Sequence, residues 1–300
     1  MTLRIAFAGS PLVAVPYLRA LVNAGVEVSV VVTREDSPQG RKRVLTPTPV
    51  AEVAEELGLP VVKANSLRDV TLPEFDLGVV VAYGGLVPER LLVAAPHGWI
   101  NVHFSVLPAY RGAAPVQRAL WDGQTSTGVS IFRLVREMDA GPVLFSRSID
   151  FEPDETASDA LDRIAHDTTD ELVATIRLID AGAITPVEQS GDATFAPKFA
   201  REDGRIDWAL SASTIASRIR AVTSEPGAFT VQSGNPLGVL KARLGTPRAP
   251  NIGEVSTDGD GVFVGTGEGT IELLVVKPAG KSAMAAADWW RGQRDAVTFE

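Results

Sequence analysis

The first hundred residues alternate short, solidly apolar runs with helix-patterned stretches, and this constrains the fold more than any other feature. The run LRIAFA at 3–8 ends at Gly9-Ser10-Pro11, and a helical pattern fills 12–23. Gly25 stops that helix, and VEVSVVVT at 26–33 is the next apolar run. Strand, helix and strand without a hairpin make a βαβ unit, which makes the two strands parallel. The pattern repeats with a helix at 49–57, a strand at 60–63, FDLGVVVAYG at 75–84, a helix from Pro88 and GWINVH at 98–103. Strands apolar at nearly every position are covered on both faces. The expectation is an α/β fold with a parallel, doubly wound open sheet, in which ligands bind beyond the carboxyl ends of the strands. The first turn reads GSP and not G-x-G-x-x-G, so it carries no dinucleotide fingerprint.

Farther on the periodicity changes. STGVSIFRLV (126–135) and PVLFSRSIDF (142–151) alternate apolar and polar residues, as a half-exposed antiparallel pair does. Residues 156–181 read as one long amphipathic helix, with His166 on its surface and Gly182 as its stop. The polar, turn-rich stretch 190–204 reads as a linker, and a helix follows from 211 with Ser211 or Ser213 as cap. From 226 onward, β-rich runs (AFTVQ, GVLKARLG, EVSTDGDGVFVGTG, TIELLVVKPAG) are separated by Gly, Pro, Asn and Asp. That spacing predicts a small antiparallel barrel or sandwich. GTGEG at 265–269 lacks the Lys and the following helix of a phosphate loop and reads as a hairpin turn. The expected division is 1–189 as one domain, 190–204 as linker and 205–300 as a second domain.

Composition excludes several classes. A net charge of −9 argues against a protein that coats nucleic acid generally. The charge is uneven: residues 204–300 hold ten basic and ten acidic residues, so 1–203 carries the whole excess. Within that acidic part, the long polar insertion 34–49 holds the triplet Arg41-Lys42-Arg43, either a solvated charge run or a phosphate-contacting loop. With no cysteine there is no disulfide framework, thiolate metal site or Cys nucleophile. Only His97, His103 and His166 are available as imidazoles, so no His-rich metal cluster is expected. No apolar run approaches ~18 residues, and the start is too short for a secretory core, so the expected location is the cytoplasm.

The chemistry concentrates in WINVHFSVLPAYRGAAPVQR at 99–118. Asn101 and His103 stand two apart, so on a strand their side chains share a face. An amide and an imidazole there could stabilise and protonate a developing oxyanion. Alone, His103 beside a Pro-containing turn reads as a structural histidine, and Asp139, ahead of Ala140-Gly141, as a plain turn residue.

Taken together, Asn101-Val102-His103, the S-x-L-P run of Ser105, Val106, Leu107 and Pro108, and Arg111-Gly112-Ala113-Ala114-Pro115-Val116-Gln117 resemble the 10-formyltetrahydrofolate-dependent formyltransferases. FAGSP near the start, PQGR (38–41), VVAYG (80–84), Asp139-Ala140-Gly141, GRIDW (204–208) and PAGKSAM (278–284) extend the resemblance over nearly the whole chain. The resemblance implies a Rossmann-like formyltransferase domain followed by an all-β OB-like barrel. It implies formyl transfer from 10-formyltetrahydrofolate to the methionine amine of initiator methionyl-tRNA, by a monomer and without metal. It assigns catalysis to Asn101, His103 and Asp139, folate binding to Ser105, Val106, Leu107 and Pro108, and tRNA contact to Arg41, Lys42 and Arg43. In that chemistry Asp139 would raise the basicity of His103 and, directly or through water, take the proton of the attacking ammonium, while the Asn101 amide and the imidazole, an imidazolium if the carboxylate holds it so, meet the oxyanion. Other members act on a small amine, a nucleotide sugar or a glycinamide ribotide. A non-catalytic RNA-binding protein is the alternative of another class. Phe104 stands where the family usually has Gly or a small residue, and Val106 where it usually has Leu. The added bulk of Phe104 beside His103 is expected to reshape the mouth of the pocket.

Overall fold

The continuous apolar runs become strands buried on both faces. In a computed structural model, which describes residues 3–40, 42–246 and 251–300, the first is β1 (Arg4–Gly9). Ile5 and Phe7 point to one face of the sheet and Ala6 and Ala8 to the other, and all four are fully buried. β2 (Glu27–Thr33) and β3 (Val61–Lys63) extend the sheet on one side. β4 (Leu77–Val81) and β5 (Trp99–His103) extend it on the other. All of these neighbours are parallel. β6 (Ser126–Arg133) pairs antiparallel with β5, and β7 (Val143–Asp150) closes the edge. The order 7-6-5-4-1-2-3 reverses direction of winding at β1, so the crevice for a ligand opens beyond the ends of β1 and β4.

Helix α1 (Val15–Asn23) buries Tyr17, Leu18 and Leu21. Helix α2 (Pro49–Glu56) is capped by Thr48, whose hydroxyl accepts the Ala51 N–H at 3.1 Å. Beyond β1, the Ser10 hydroxyl donates to the Tyr83 carbonyl at 3.0 Å and accepts the Arg34 N–H at 3.2 Å. It therefore ties three strand ends together.

Two elements depart from the pattern read in the sequence. The insertion 34–49 is no open loop: Ser37–Gln39 and Val44–Thr46 pair as an antiparallel hairpin. The expected helix over 156–181 is two, Ala157–Asp167 and Thr169–Asp180. The break is at Thr168, where φ opens to −122°. Its hydroxyl back-bonds the Ile164 carbonyl at 2.7 Å and meets the Tyr17 hydroxyl. A side chain that competes for the helix's own carbonyls interrupts an otherwise sound amphipathic pattern.

Contacts divide the chain into two units. The second comprises Val116–Ser126, Asp150–Ala160 and Pro197–Glu300. It is built on a six-stranded antiparallel sheet, whose main path is Ala228–Gln232, Asn235–Leu244, Thr270–Pro278, Gly261–Gly265 and Val255–Asp258. The helix Ala212–Val222 contributes Ile215, Ile219 and Val222 to this core, and Ser211 caps it. Trp208 of the GRIDW run stacks on Phe299 at 5.6 Å, and Phe299 stacks on Trp289 at 5.9 Å. Among the described residues no helix is long and apolar enough to cross a membrane.

Gly78 shows how tightly the parallel sheet is packed. A Cβ on it would fall 2.0 Å from the Trp99 ring, and that ring is anchored by an Nε1–H donated to the Leu91 carbonyl at 2.7 Å. Gly78→Ala is expected to cost about 1–3 kcal/mol, the range for forcing one extra methyl into a packed core. A lower urea midpoint with an unchanged slope is the measurement that checks it.

Candidate active site

Asn101 and His103 lie on β5 as their spacing requires, and His103 is the last residue of the strand. The imidazole is only 4% exposed, with Phe132 edge-on to it at 6.3 Å. Its Nε2 lies 2.9 Å from the Tyr110 carbonyl oxygen. A carbonyl only accepts, so Nε2 carries the hydrogen and Nδ1 presents its lone pair. Nδ1 faces the Asp139 carboxylate, with Oδ2 at 3.8 Å. Burial pushes the His103 pKa below its usual 6.5, against smaller upward pulls from Asp139 and from the Tyr110 carbonyl. The imidazolium expected from the sequence is thus replaced by a neutral ring. Desolvation outweighs a carboxylate that stands too far off for a hydrogen bond.

Asp139 is held in a left-handed conformation at φ +50°. Its Oδ2 accepts the Gly112 N–H at 2.8 Å. Two residues on, a Cβ at Gly141 would fall 1.9 Å from the Arg133 carbonyl, so the turn admits only glycine there. Tyr110, which orients His103, is also left-handed at φ +58°. Asp139 and Tyr110, two non-glycine residues in this sparsely populated region, single out the His103–Asp139 pair as a candidate site. Asn101 adds a third sign: its Oδ1 is buried and has no hydrogen-bond partner. A buried amide oxygen without a donor costs on the order of 1–3 kcal/mol, and a ligand bearing an N–H or O–H would recover it.

The remaining predicted residues separate into three groups. Ser105 spends its hydroxyl on the Ala109 carbonyl at 2.6 Å, and its own carbonyl accepts the Ser130 hydroxyl at 2.7 Å. Ser105 therefore shapes the turn that carries Val106, Leu107 and Pro108. Of that run Val106 is exposed and Leu107 buried. Phe104 is buried. Alternation along the strand end turns it away from His103, and its ring packs edge-on against Tyr17 at 6.4 Å. Lys42 and Arg43 sit exposed at the turn of the 37–46 hairpin, and Arg41 lies outside the described residues.

A residue that sequence reasoning missed completes the site. Gln189 donates from Nε2 to the carbonyls of both Asp139 and Gly141, each at 2.8 Å. Its Oε1 accepts from Arg111 at 2.6 and 3.2 Å. Nothing in the local sequence around Gln189 signals this, because its partners are some fifty to eighty residues away.

Comparison with known proteins decides the family. The Formyl transferase family model matches residues 3–176, and the model of the Formyl transferase C-terminal domain matches 198–294. A methionyl-tRNA formyltransferase of Clavibacter sepedonicus is 48% identical over 296 residues, 97% of each chain. The chain belongs to the formyl transferase family. Among solved structures of that fold, the methionyl-tRNA formyltransferase from Clostridium thermocellum aligns with a TM-score of 0.56 at 16% identity, covering 81% of this chain and 94% of that one. HypX from Aquifex aeolicus in complex with tetrahydrofolic acid aligns at 0.68 and 17% identity, covering 100% of this formyltransferase and 51% of that chain.

The lowered His103 pKa has a stability consequence. A histidine that resists protonation when folded but not when unfolded contributes stability above about pH 6.5, and that stability is lost as pH falls toward the folded pKa. The wild type's resistance to denaturant is expected to weaken on acidification from pH 7 to 5. His103→Gln is expected to lack that component when the two denaturant midpoints are followed across the same range.

Proposed function

We propose that this formyltransferase moves the formyl group of 10-formyltetrahydrofolate to the amino group of methionine on initiator methionyl-tRNA. The observation that carries the reaction type is the neutral His103, with Nδ1 free of hydrogen and facing Asp139, beside the unpartnered Asn101 oxygen at a strand end. The relatives' name supports the choice of acceptor.

The donor set fits this chemistry. 10-Formyltetrahydrofolate supplies the formyl carbon, and its N10 needs a proton when the C–N bond to it breaks. The incoming amine must lose a proton as its new C–N bond forms. His103 Nδ1 can take that proton, because burial keeps the ring neutral until the amine arrives. Asp139 then lies close enough to steady the imidazolium until the proton passes to N10. Asn101 Oδ1 accepts an N–H of the amine, and the same amide's N–H₂ end offers a donor to the developing oxyanion. Holding both substrates in register supplies much of the remaining rate.

Ser105, Val106, Leu107 and Pro108 line the folate side in this reading, and Arg41, Lys42 and Arg43 meet the acceptor end of the tRNA. The catalytic residues lie within 1–189, and 205–300 carries the tRNA contact in this reading. The enzyme works as a monomer in the cytoplasm.

A formylation assay with charged initiator tRNA and the folate donor tests the proposal. Absence of formyl incorporation by folded protein, or preference for an amino sugar nucleotide, would overturn it. His103→Ala and Asp139→Ala are expected to lower turnover by several orders of magnitude with folate binding largely intact. A change confined to KM would contradict their roles. Arg41→Ala is expected to raise KM for tRNA and leave folate binding alone; wild-type behaviour would return the triplet to a solvated charge run.

A further inference from the structure

The two family models leave residues 177–197 uncovered, and the sequence reads 190–204 as linker. The structure ties 187–196 into the catalytic unit at every turn. Val187 and Val143 exchange backbone hydrogen bonds, both at 2.8 Å. Phe195 and Ala196 form a short parallel pair with Arg111 and Gly112. The Ala196 carbonyl accepts the N–H groups of Ala113 and Ala114 at 3.0 and 3.1 Å.

Within this strap, two side chains reach the backbone around the reacting groups. Gln189 holds the carbonyls of Asp139 and Gly141, and so fixes the left-handed turn that aims the Asp139 carboxylate. Thr194 accepts the Tyr110 N–H on its hydroxyl at 2.8 Å, while its carbonyl accepts the Arg111 N–H at 2.8 Å. Tyr110 is the residue whose carbonyl sets the His103 tautomer, and Gly112 the one whose N–H holds Asp139. Both members of the pair are thus positioned from one short stretch, Asp139 directly at its own carbonyl and His103 through Tyr110.

We propose that 187–196 is a positioning strap of the active site, with Gln189 and Thr194 as its two positioning residues, Gln189 for Asp139 and Thr194 for His103. The proposal rests on the assignment of His103 and Asp139 as catalytic. Gln189 suits the role because a single amide supplies two donors to two carbonyls and an acceptor to a guanidinium, which no other side chain of that length combines. Thr194 suits it because its hydroxyl can accept from a backbone N–H that a left-handed residue cannot spend on a regular ladder.

The test compares side chains of equal size. Gln189→Glu keeps the pairing with Arg111 and loses both donors. Thr194→Val keeps the shape and loses the acceptor, and Thr194→Ser restores it. Misplacement of a reacting group by about 1 Å costs roughly 10²-fold in rate. Turnover of Gln189→Glu and Thr194→Val is expected to fall on the order of 10- to 100-fold, with KM for the folate donor within about 2-fold and the thermal midpoint near that of the wild type. Thr194→Ser is expected to recover most of the loss. Gln189→Met, apolar and of similar length, serves if Gln189→Glu does not fold. Asp139→Asn is the reference. If it loses turnover while the strap variants keep wild-type kcat, the strap proposal is overturned and the catalytic assignment stands. If Asp139→Asn itself keeps wild-type turnover, both fall.

Discussion

The hydrogen bond from His103 Nε2 to the Tyr110 carbonyl decides what the site can do. It commits one ring nitrogen as a donor and leaves the other as the basic one. Everything around it serves that geometry. The parallel strand delivers the ring to the sheet's carboxyl edge, the buried setting keeps it neutral, and a left-handed Tyr110 turns its carbonyl back toward the strand it has just left. Asp139 completes the arrangement by waiting 3.8 Å away. A carboxylate at that distance has little hold on a neutral ring and a much stronger one on a charged ring, which in the proposed reaction favours the protonated ring over the resting one.

The same economy explains the glycines near the site. Gly141 and Gly112 are places where backbone must approach backbone: a Cβ would meet the Arg133 carbonyl at one and the Ala196 carbonyl at the other. Gly112 itself donates the N–H that holds Asp139, and Gly141 closes the turn two residues after it. The turn and the strand beside it can thus close to hydrogen-bond distance, and the carboxylate has no room to wander.

Much of the fold was legible because it depends on periodicity over short windows. The apolar runs at 3–8, 26–33, 75–84 and 98–103 became buried strands, and the Gly- and Asp-separated runs after 226 became an antiparallel sheet. The reading failed where one side chain acts at long range or against its neighbours. Thr168 ends a helix by bonding Ile164 and Tyr17, and the weak helix formers Asp167, Thr168, Thr169 and Asp170 were a sign that the amphipathic pattern outweighed. Phe104 followed simple strand alternation away from His103, although proximity in sequence suggested the opposite. For the site, Asn101 and His103 were legible from their spacing of two. The neutrality of the ring was not, because it follows from desolvation by residues far apart in the chain. Gln189 was invisible for the same reason.

The aromatic stack of Trp208, Phe299 and Trp289 bears on the order in which the molecule is made. Phe299 is a core residue of the second unit, which also includes 116–126 and 150–160. Those early segments leave the ribosome long before their last partner exists. The first unit has all its strands by residue 196, so its sheet can be complete about a hundred residues ahead. At ordinary elongation rates that is a lead on the order of 5–20 s. During that interval Trp121, which packs against the second unit's core, has no finished core to enter.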